Sequence, residues 1–211
     1  MAAGFDGVEL HGANTYIIQQ FFSPHSNRRE DQWGGSVEKR FTFINQLVDD
    51  VLSVVDEADQ KDFIVGYRFS PEEYEEPGIR MADTLYLVEQ LAEKSLDYLH
   101  ISLADYKRVS VSEDYQEKTI MQYVHEQIAG RVPLIGVGDI RTKQDLEESL
   151  AHSEIAAVGR ALIIDPHWVS KVIEDNEDAL RTVLANQDRQ ELMIGNGMLE
   201  FLKFMMPDRL R

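Results

Sequence analysis

Cysteine is absent from the 211 residues, so disulfides, thiolate metal sites and a thiol nucleophile are excluded together. Long apolar runs are missing as well. No stretch approaches the roughly 18 uninterrupted apolar residues that a membrane span needs. The N-terminus has neither the basic nor the apolar region of a secretory signal. A cytoplasmic location and no membrane partner are therefore expected. Positive charge is in short supply, with 21 basic residues against 38 acidic ones and a net charge of −17. A nucleic acid would meet repulsion over most of such a surface, so no nucleic-acid partner is expected. The acidic runs, such as Asp145, Glu147 and Glu148 or Glu174, Asp175, Glu177 and Asp178, read as solvated helix faces. His25, His125, His152 and His167 show no metal-ligand spacing.

What is present is an alternation of short apolar strands with longer amphipathic helices. Strands are predicted over Gly7–His11, Phe63–Phe69, Tyr98–Ser102, Val132–Val137 and Ile155–Val158. Helices are predicted over Val37–Glu57, Ala82–Lys94, Glu117–Ala129, from Thr142 onward, over His167–Glu174, and through a tail from Asp188 to Met205. Thr142 with Asp145 three residues on has the spacing of a capping box. Strands separated by helices pair in parallel through right-handed crossovers. The class is α/β. An open doubly wound sheet would need a dinucleotide fingerprint after the first strand, and there is none. The alternative is part of a (β/α)8 TIM barrel, which typically takes about 250 residues. The expected organisation is one partial barrel domain over residues 1–211, with residues 176–211 as a C-terminal helical extension. In a barrel the chemistry sits at the C-terminal ends of the strands, and His11, Arg68, Ser102, Gly138 and Arg160 all fall there.

Strand alternation puts Glu9 and His11 on one side of the first strand and Gly66 and Arg68 on one side of the second. With the apolar sides against helices, Glu9, His11 and Arg68 point inward together. Buried charges need partners, so Glu9 and Arg68 are expected either to pair or to leave the arginine to an anionic ligand. Gly136-Val137-Gly138-Asp139 and Gly159-Arg160 end the last two strands with glycines, where backbone amides can approach a phosphate. Arg160 adds a planar donor fork. Either glycine pair alone also fits an ordinary tight turn. His100 is expected to be a satisfied core histidine, and Trp168 and the Met205-Met206 pair to pack helices.

His11-Gly12-Ala13-Asn14-Thr15-Tyr16, the run from Gln20-Phe21 to Asn27-Arg28-Arg29, Gly34-Gly35-Ser36 through Arg40-Phe41, Arg68-Phe69-Ser70-Pro71 and Gly159-Arg160-Ala161-Leu162 together resemble the Old Yellow Enzyme family. Within it the chain looks most like bacterial NADH-dependent flavin oxidoreductases of the NADH oxidase type. The resemblance runs in order from Gly4 to about Trp168 and covers the C-terminal portion of the family's barrel only.

That resemblance implies FMN as cofactor, NADH or NADPH as reductant, and a small electrophilic substrate such as an activated alkene. His11 and Asn14 match the pair that binds the substrate's carbonyl or nitro oxygen, and Tyr16 matches the proton donor. A phenol carries its proton at neutral pH and can supply it. Arg68 matches the residue beside the flavin pyrimidine edge, and Gly138, Asp139, Gly159 and Arg160 match the phosphate-binding positions. Asp139 departs from the pattern and is expected to turn its carboxylate away. Strands four to eight are represented and the first three β/α units are not, so an incomplete barrel of about five units is expected. A truncated or fragmentary chain that self-associates through exposed barrel edges is the expected consequence, with a catalytically inactive remnant as the alternative to an enzyme.

Overall fold

The computed structural model describes residues 3–210. In chain order the elements are β1 Gly7–Gly12, α1 Ile17–Phe22, α2 Val37–Glu57, β2 Ile64–Phe69, α3 Met81–Ala92, β3 Tyr98–Ile101, α4 Ile120–Ile128, β4 Leu134–Val137, α5 Lys143–Leu150, β5 Ile155–Ala157, α6 Arg160–Ile164, α7 Trp168–Ile173, α8 Asp188–Glu191 and α9 Asn196–Met205. They fall into two compact units. One comprises the chain through Gly138 together with Glu148–Ala157, and the other Asp139–Glu147 with the chain from Val158 onward.

The first unit holds all five strands, parallel and in the order β1-β2-β3-β4-β5. A parallel sheet ordered by sequence is what successive right-handed crossovers generate. Period-two alternation sorts its faces. Val65, Tyr67, Phe69, Leu99, Ile101 and Leu134 are buried on the apolar face. Ile44 and Val48 of α2, Leu87, Val88 and Leu91 of α3, and Ile120, Met121, Val124 and Ile128 of α4 are buried at helical spacing. Each fully buried aliphatic side chain of this kind contributes roughly 1.5–3 kcal/mol. Within the described residues β1 and β5 are paired on one side only, so the sheet is an open arc of five β/α units rather than a closed barrel.

Acidic side chains trim the strand starts. Asp97, just before β3, accepts the amide of Val65 on β2 at 2.7 Å. Glu154, just before β5, accepts the amide of Leu134 on β4 at 2.7 Å. The long connection between α1 and α2 is held by two residues of the resemblance motif. Asn27 donates from Nδ2 to the carbonyls of Phe21 and Trp33, both at 2.6 Å. Buried Arg40 donates to the carbonyls of Phe22 and Gly35 and to Asp83 of α3, at 2.7, 2.6 and 2.6 Å.

The second unit is helical. Ile164, Leu184, Leu202 and Met206 form its buried cluster, with Leu192, Ile194 and Leu210 against it. Thr142 and Asp145 make the expected box, Asp145 N to Thr142 Oγ1 at 3.1 Å and Thr142 N to Asp145 Oδ2 at 3.0 Å. Trp168 is buried and donates from Nε1 to the carbonyl of Arg141 at 2.7 Å.

Three expectations change. The tail is not one helix: Met193 adopts φ 55° and the chain restarts at Gly195, so α8 and α9 are separate. Of the two methionines expected to pack there, Met206 is buried and Met205 is half exposed. The short helices α1 and α6, of six and five residues, were not expected, because so short a segment shows no helical period.

The connection after β2 joins the loops of the first unit. Ser70 Oγ accepts the amide of Asn14 at 2.9 Å. Buried Glu72 accepts from Ser110 Oγ at 2.6 Å and from the amide of Val111 at 3.1 Å. Buried Glu73 accepts from Gln19 Nε2 at 2.8 Å, Ser23 Oγ at 2.5 Å and the amide of Ile79 at 3.0 Å. Removing such an acceptor leaves buried donors unpaired, at about 1–3 kcal/mol each. Glu73→Ala is therefore expected to lower unfolding free energy in urea by at least about 2 kcal/mol, and Glu73→Gln by less. A change in Glu73→Ala below about 0.5 kcal/mol, the usual size of a neutral surface substitution, would show that this carboxylate does not hold the loops.

Candidate active site

β1 ends at Gly12, and the next residues turn sharply. Asn14 and Thr15 have φ 56° and 63°, a left-handed conformation that asparagine tolerates and a β-branched threonine adopts only under constraint. The constraint is visible. Thr15 N donates to Gln19 Oε1 at 2.9 Å and Gln20 Nε2 donates to the Thr15 carbonyl at 2.7 Å, while Gln19 is itself tied to Glu73. Backbone strain of this kind costs of order 1–3 kcal/mol and persists where surrounding contacts over-determine it. Its result is to swing Tyr16 back beside His11, ring centroids 5.1 Å apart and tilted by 55°. Tyr16 is 60% exposed and can reach a ligand.

Arg68, at the C-terminal end of β2, lies in register with His11 on β1 and His100 on β3. Its Nη2 meets Ser102 Oγ at 3.1 Å, and Ser102 Oγ lies 2.9 Å from Asn14 Oδ1. A guanidinium can only donate, so the serine accepts from Arg68, and an amide oxygen can only accept, so the serine's single proton goes to Asn14 Oδ1. That order fixes the asparagine amide. Its Nδ2 has no partner among the described residues and is left as a donor. His11, Asn14, Tyr16 and Arg68 are thus brought together in one unit, with Ser102 as the link.

The expected pairing of Glu9 with Arg68 does not occur. Glu9 Oε2 lies 2.9 Å from His100 Nδ1. Burial, together with the Glu9 charge, pushes the Tyr98 phenol up to about 12. Glu9 reaches β3 because its register partner on β2 is Gly66, where any Cβ would collide with the Tyr98 ring. His100 is only half satisfied, since its Nε2 is buried without a partner, as is Nε of Arg68.

Gly138 ends β4 in the same unit with φ 139°, a conformation reserved for glycine, and its carbonyl accepts the amide of Tyr106 at 3.1 Å. The other three expected phosphate-site residues lie in the second unit. There the Asp139 carboxylate gathers three arginines. Oδ1 takes Arg160 Nη2 at 3.0 Å and Arg209 Nη2 at 2.5 Å, and Oδ2 takes Arg141 Nη2 at 2.6 Å. Three guanidinium groups on one carboxylate leave an excess of positive charge. Burial and the neighbouring Arg141 hold the Arg209 guanidinium below its usual range. Gly159 precedes α6, and nothing lies within 4 Å of where its Cβ would be.

Each unit taken by itself offers donors that fit part of a flavin. The first offers Arg68, with its orphaned buried Nε, for an anionic ring edge, and the second offers an arginine cluster and an open glycine for a phosphate. Among the described residues no group of three or more histidine, aspartate or glutamate side chains could hold a metal ion, and no helix is long and apolar enough to cross a membrane. A cavity of about 450 Å³ lined by Phe21, Arg29, Trp33, Phe43, Leu47 and Asp50 contains none of the polar residues above and is not the site. Ser70, Glu72, Glu73, Arg141 and Arg209 were not expected from the sequence. Ser70, Glu72, Glu73 and Arg209 act on residues far away along the chain, while Arg141 acts on Asp139 two residues before it.

The family model described as NADH:flavin oxidoreductase / NADH oxidase matches residues 1–179. Among curated proteins, the chain is 44% identical over 190 residues to a probable NADH-dependent flavin oxidoreductase of Bacillus subtilis (strain 168), YqiG, covering 90% of this chain and 51% of that protein. It is 43% identical over 210 residues to the NADH:acrylate oxidoreductase of Vibrio harveyi, covering 98% of this chain and 21% of that protein. Among solved structures, morphinone reductase in complex with tetrahydroNAD superposes with a TM-score of 0.62 at 28% identity, over 85% of this chain and 46% of that one. The chain therefore spans about half the length of the Bacillus relative and about a fifth of the Vibrio one. With a family model that matches most of its length and relatives above 40% identity, the chain belongs to the NADH:flavin oxidoreductase / NADH oxidase family.

Proposed function

We propose that this chain carries the substrate-polarising and proton-donating side of an FMN-dependent reductase acting on activated alkenes such as enones. The observation that carries the reading is the directional chain from Arg68 through Ser102 to Asn14, because it turns an asparagine amide into a donor beside His11 and Tyr16. Bound FMN, reduced by NADH, would supply hydride to the β-carbon of the alkene. Asn14 Nδ2 and a ring nitrogen of His11 donate to the substrate's carbonyl oxygen and stabilise the charge that develops there. The Tyr16 hydroxyl gives its proton to the α-carbon. In the first unit Arg68 holds positive charge for a flavin's pyrimidine edge; in the second, taken by itself, Gly159 and Arg160 offer a place for a phosphate, with Asp139 keeping the arginines gathered. The names of the relatives support electron-poor alkenes as the substrate class, acrylate above all.

The unpaired edges of β1 and β5 favour a second reading, in which the chain is catalytically silent alone and self-associates. The two readings separate in one experiment: purification, titration with FMN, and addition of NADH without oxygen. A yellow complex that bleaches supports the enzyme. Colourless protein without measurable FMN affinity supports the silent reading.

Two substitutions probe the roles. Tyr16→Phe is expected to slow alkene reduction by about 10²-fold or more, the usual worth of a positioned acid, while flavin reduction by NADH stays within about twofold of the parent, a difference of under half a kcal/mol. Equal loss in both half-reactions would remove the proton-donor role. Ser102→Ala is expected to free the Asn14 amide and to lower kcat/KM for the alkene by about tenfold, the equivalent of one hydrogen bond. An unchanged kcat/KM would show that the serine does not orient it.

A further inference from the structure

The polar face of the sheet places Glu9 and His11 of β1, Arg68 of β2, and Tyr98 and His100 of β3 side by side, followed by Ser102 just past the strand. β4 and β5 contribute only Ile135, Val137, Ile155 and Ala157 to that face. One carboxylate thus faces one guanidinium from an adjacent strand, with two histidines and a phenol nearby. Direct pairing of Glu9 with Arg68 would be the simple electrostatic solution, since an arginine left without a counter-ion in a partly buried site is costly. Instead the carboxylate is held by His100 Nδ1 at 2.9 Å. The side chains of His100 and Glu9 are only 13% and 29% exposed, so the pair is shielded from solvent. Arg68 is bonded only to the neutral Ser102, its Nε has no partner, and no carboxylate lies within ion-pair distance of it among the described residues.

We propose that His100 is a positioning residue that draws the Glu9 carboxylate away from Arg68 and so keeps the guanidinium charge of Arg68 available to an anionic ligand. Gly66 makes the diversion possible, because it alone separates Glu9 from β3 in its row and leaves room for the Tyr98 ring. The arrangement stabilises the ligand-bound protein at the expense of the ligand-free one, a common feature of sites built to bind charge. The identity of the ligand, a reduced and anionic flavin, rests on the function proposed above; the diversion of Glu9 does not.

The test compares His100→Ala, Glu9→Gln and the double variant, with two readouts on the full chain. The first needs no flavin and follows the Arg68 Nε–H resonance by NMR. In His100→Ala, Glu9 is expected to swing onto Arg68, shifting that resonance downfield and slowing its exchange with solvent by about tenfold, the equivalent of one hydrogen bond; Glu9→Gln and the double variant should show neither change. The second is the ratio of affinities for reduced over oxidised FMN. It should fall by about tenfold in His100→Ala, equivalent to the modest interaction of one partly exposed charge pair, and recover in the double variant. His100→Phe fills the same space without a nitrogen and carries the test if the alanine variant does not fold. An Arg68 resonance that is unmoved without His100 overturns the proposal. A shifted resonance with an unchanged FMN affinity ratio overturns the claim that the charge serves the flavin. A shifted resonance in a protein that takes up no FMN sustains the diversion and refutes the flavin reading.

Discussion

A guanidinium donates hydrogen bonds and accepts none, and that one-way chemistry at Arg68 orders the polar side of the sheet. Ser102 accepts from Arg68 and, because an amide oxygen can only accept, donates to Asn14 Oδ1, which leaves the asparagine amide nitrogen as a donor. Because Glu9 is occupied by His100, the arginine reaches this role with its charge uncompensated. Neither property belongs to Arg68 alone. Each follows from a neighbour on another strand whose position is set by the parallel register.

The register is in turn useful only if the loops beyond the strand ends stay put. Two adjacent carboxylates do this, each buried and each holding different chain segments. Glu73 fixes Gln19 and Ser23, and through Gln19 the strained turn at Asn14 and Thr15 that brings Tyr16 to His11. Glu72 fixes the chain at Ser110 and Val111. Buried carboxylates are tolerable when donors surround them, and here the donors are the loops themselves. Much of the family motif between Gln20 and Phe41 has the same structural purpose, with Asn27 and Arg40 bonding carbonyls rather than ligands.

The α/β alternation and the longer elements were legible because period and burial agree over enough residues. α2 runs from Val37 to Glu57 as its apolar spacing indicates, and each predicted strand is found with its ends shifted by no more than two residues. His11, Asn14, Tyr16 and Arg68 were legible as a motif, through resemblance more than through physics. What could not be read were the partners. Arg68 and Ser102 are 34 residues apart and Ser102 and Asn14 are 88, and no local pattern encodes such a link. Glu72 and Glu73 sit in the acidic run Glu72-Glu73-Tyr74-Glu75-Glu76, where a solvated face is the natural reading. For Glu9, charge left two readings open, a pair with Arg68 or an arginine kept for an anionic ligand, and the partner found, His100 on β3, was in neither. The arginines gathered by Asp139 were not legible as a group either, since Arg209 lies 70 residues away.

The central claim is the direction of the protons along Arg68, Ser102 and Asn14, and a neutron diffraction map of the deuterated protein would read it directly. The expected map has the Ser102 deuteron pointing at Asn14 Oδ1 and two deuterons on Asn14 Nδ2 facing away from the serine. A Ser102 deuteron directed elsewhere, or an Asn14 amide turned so that its nitrogen meets the serine, would contradict it.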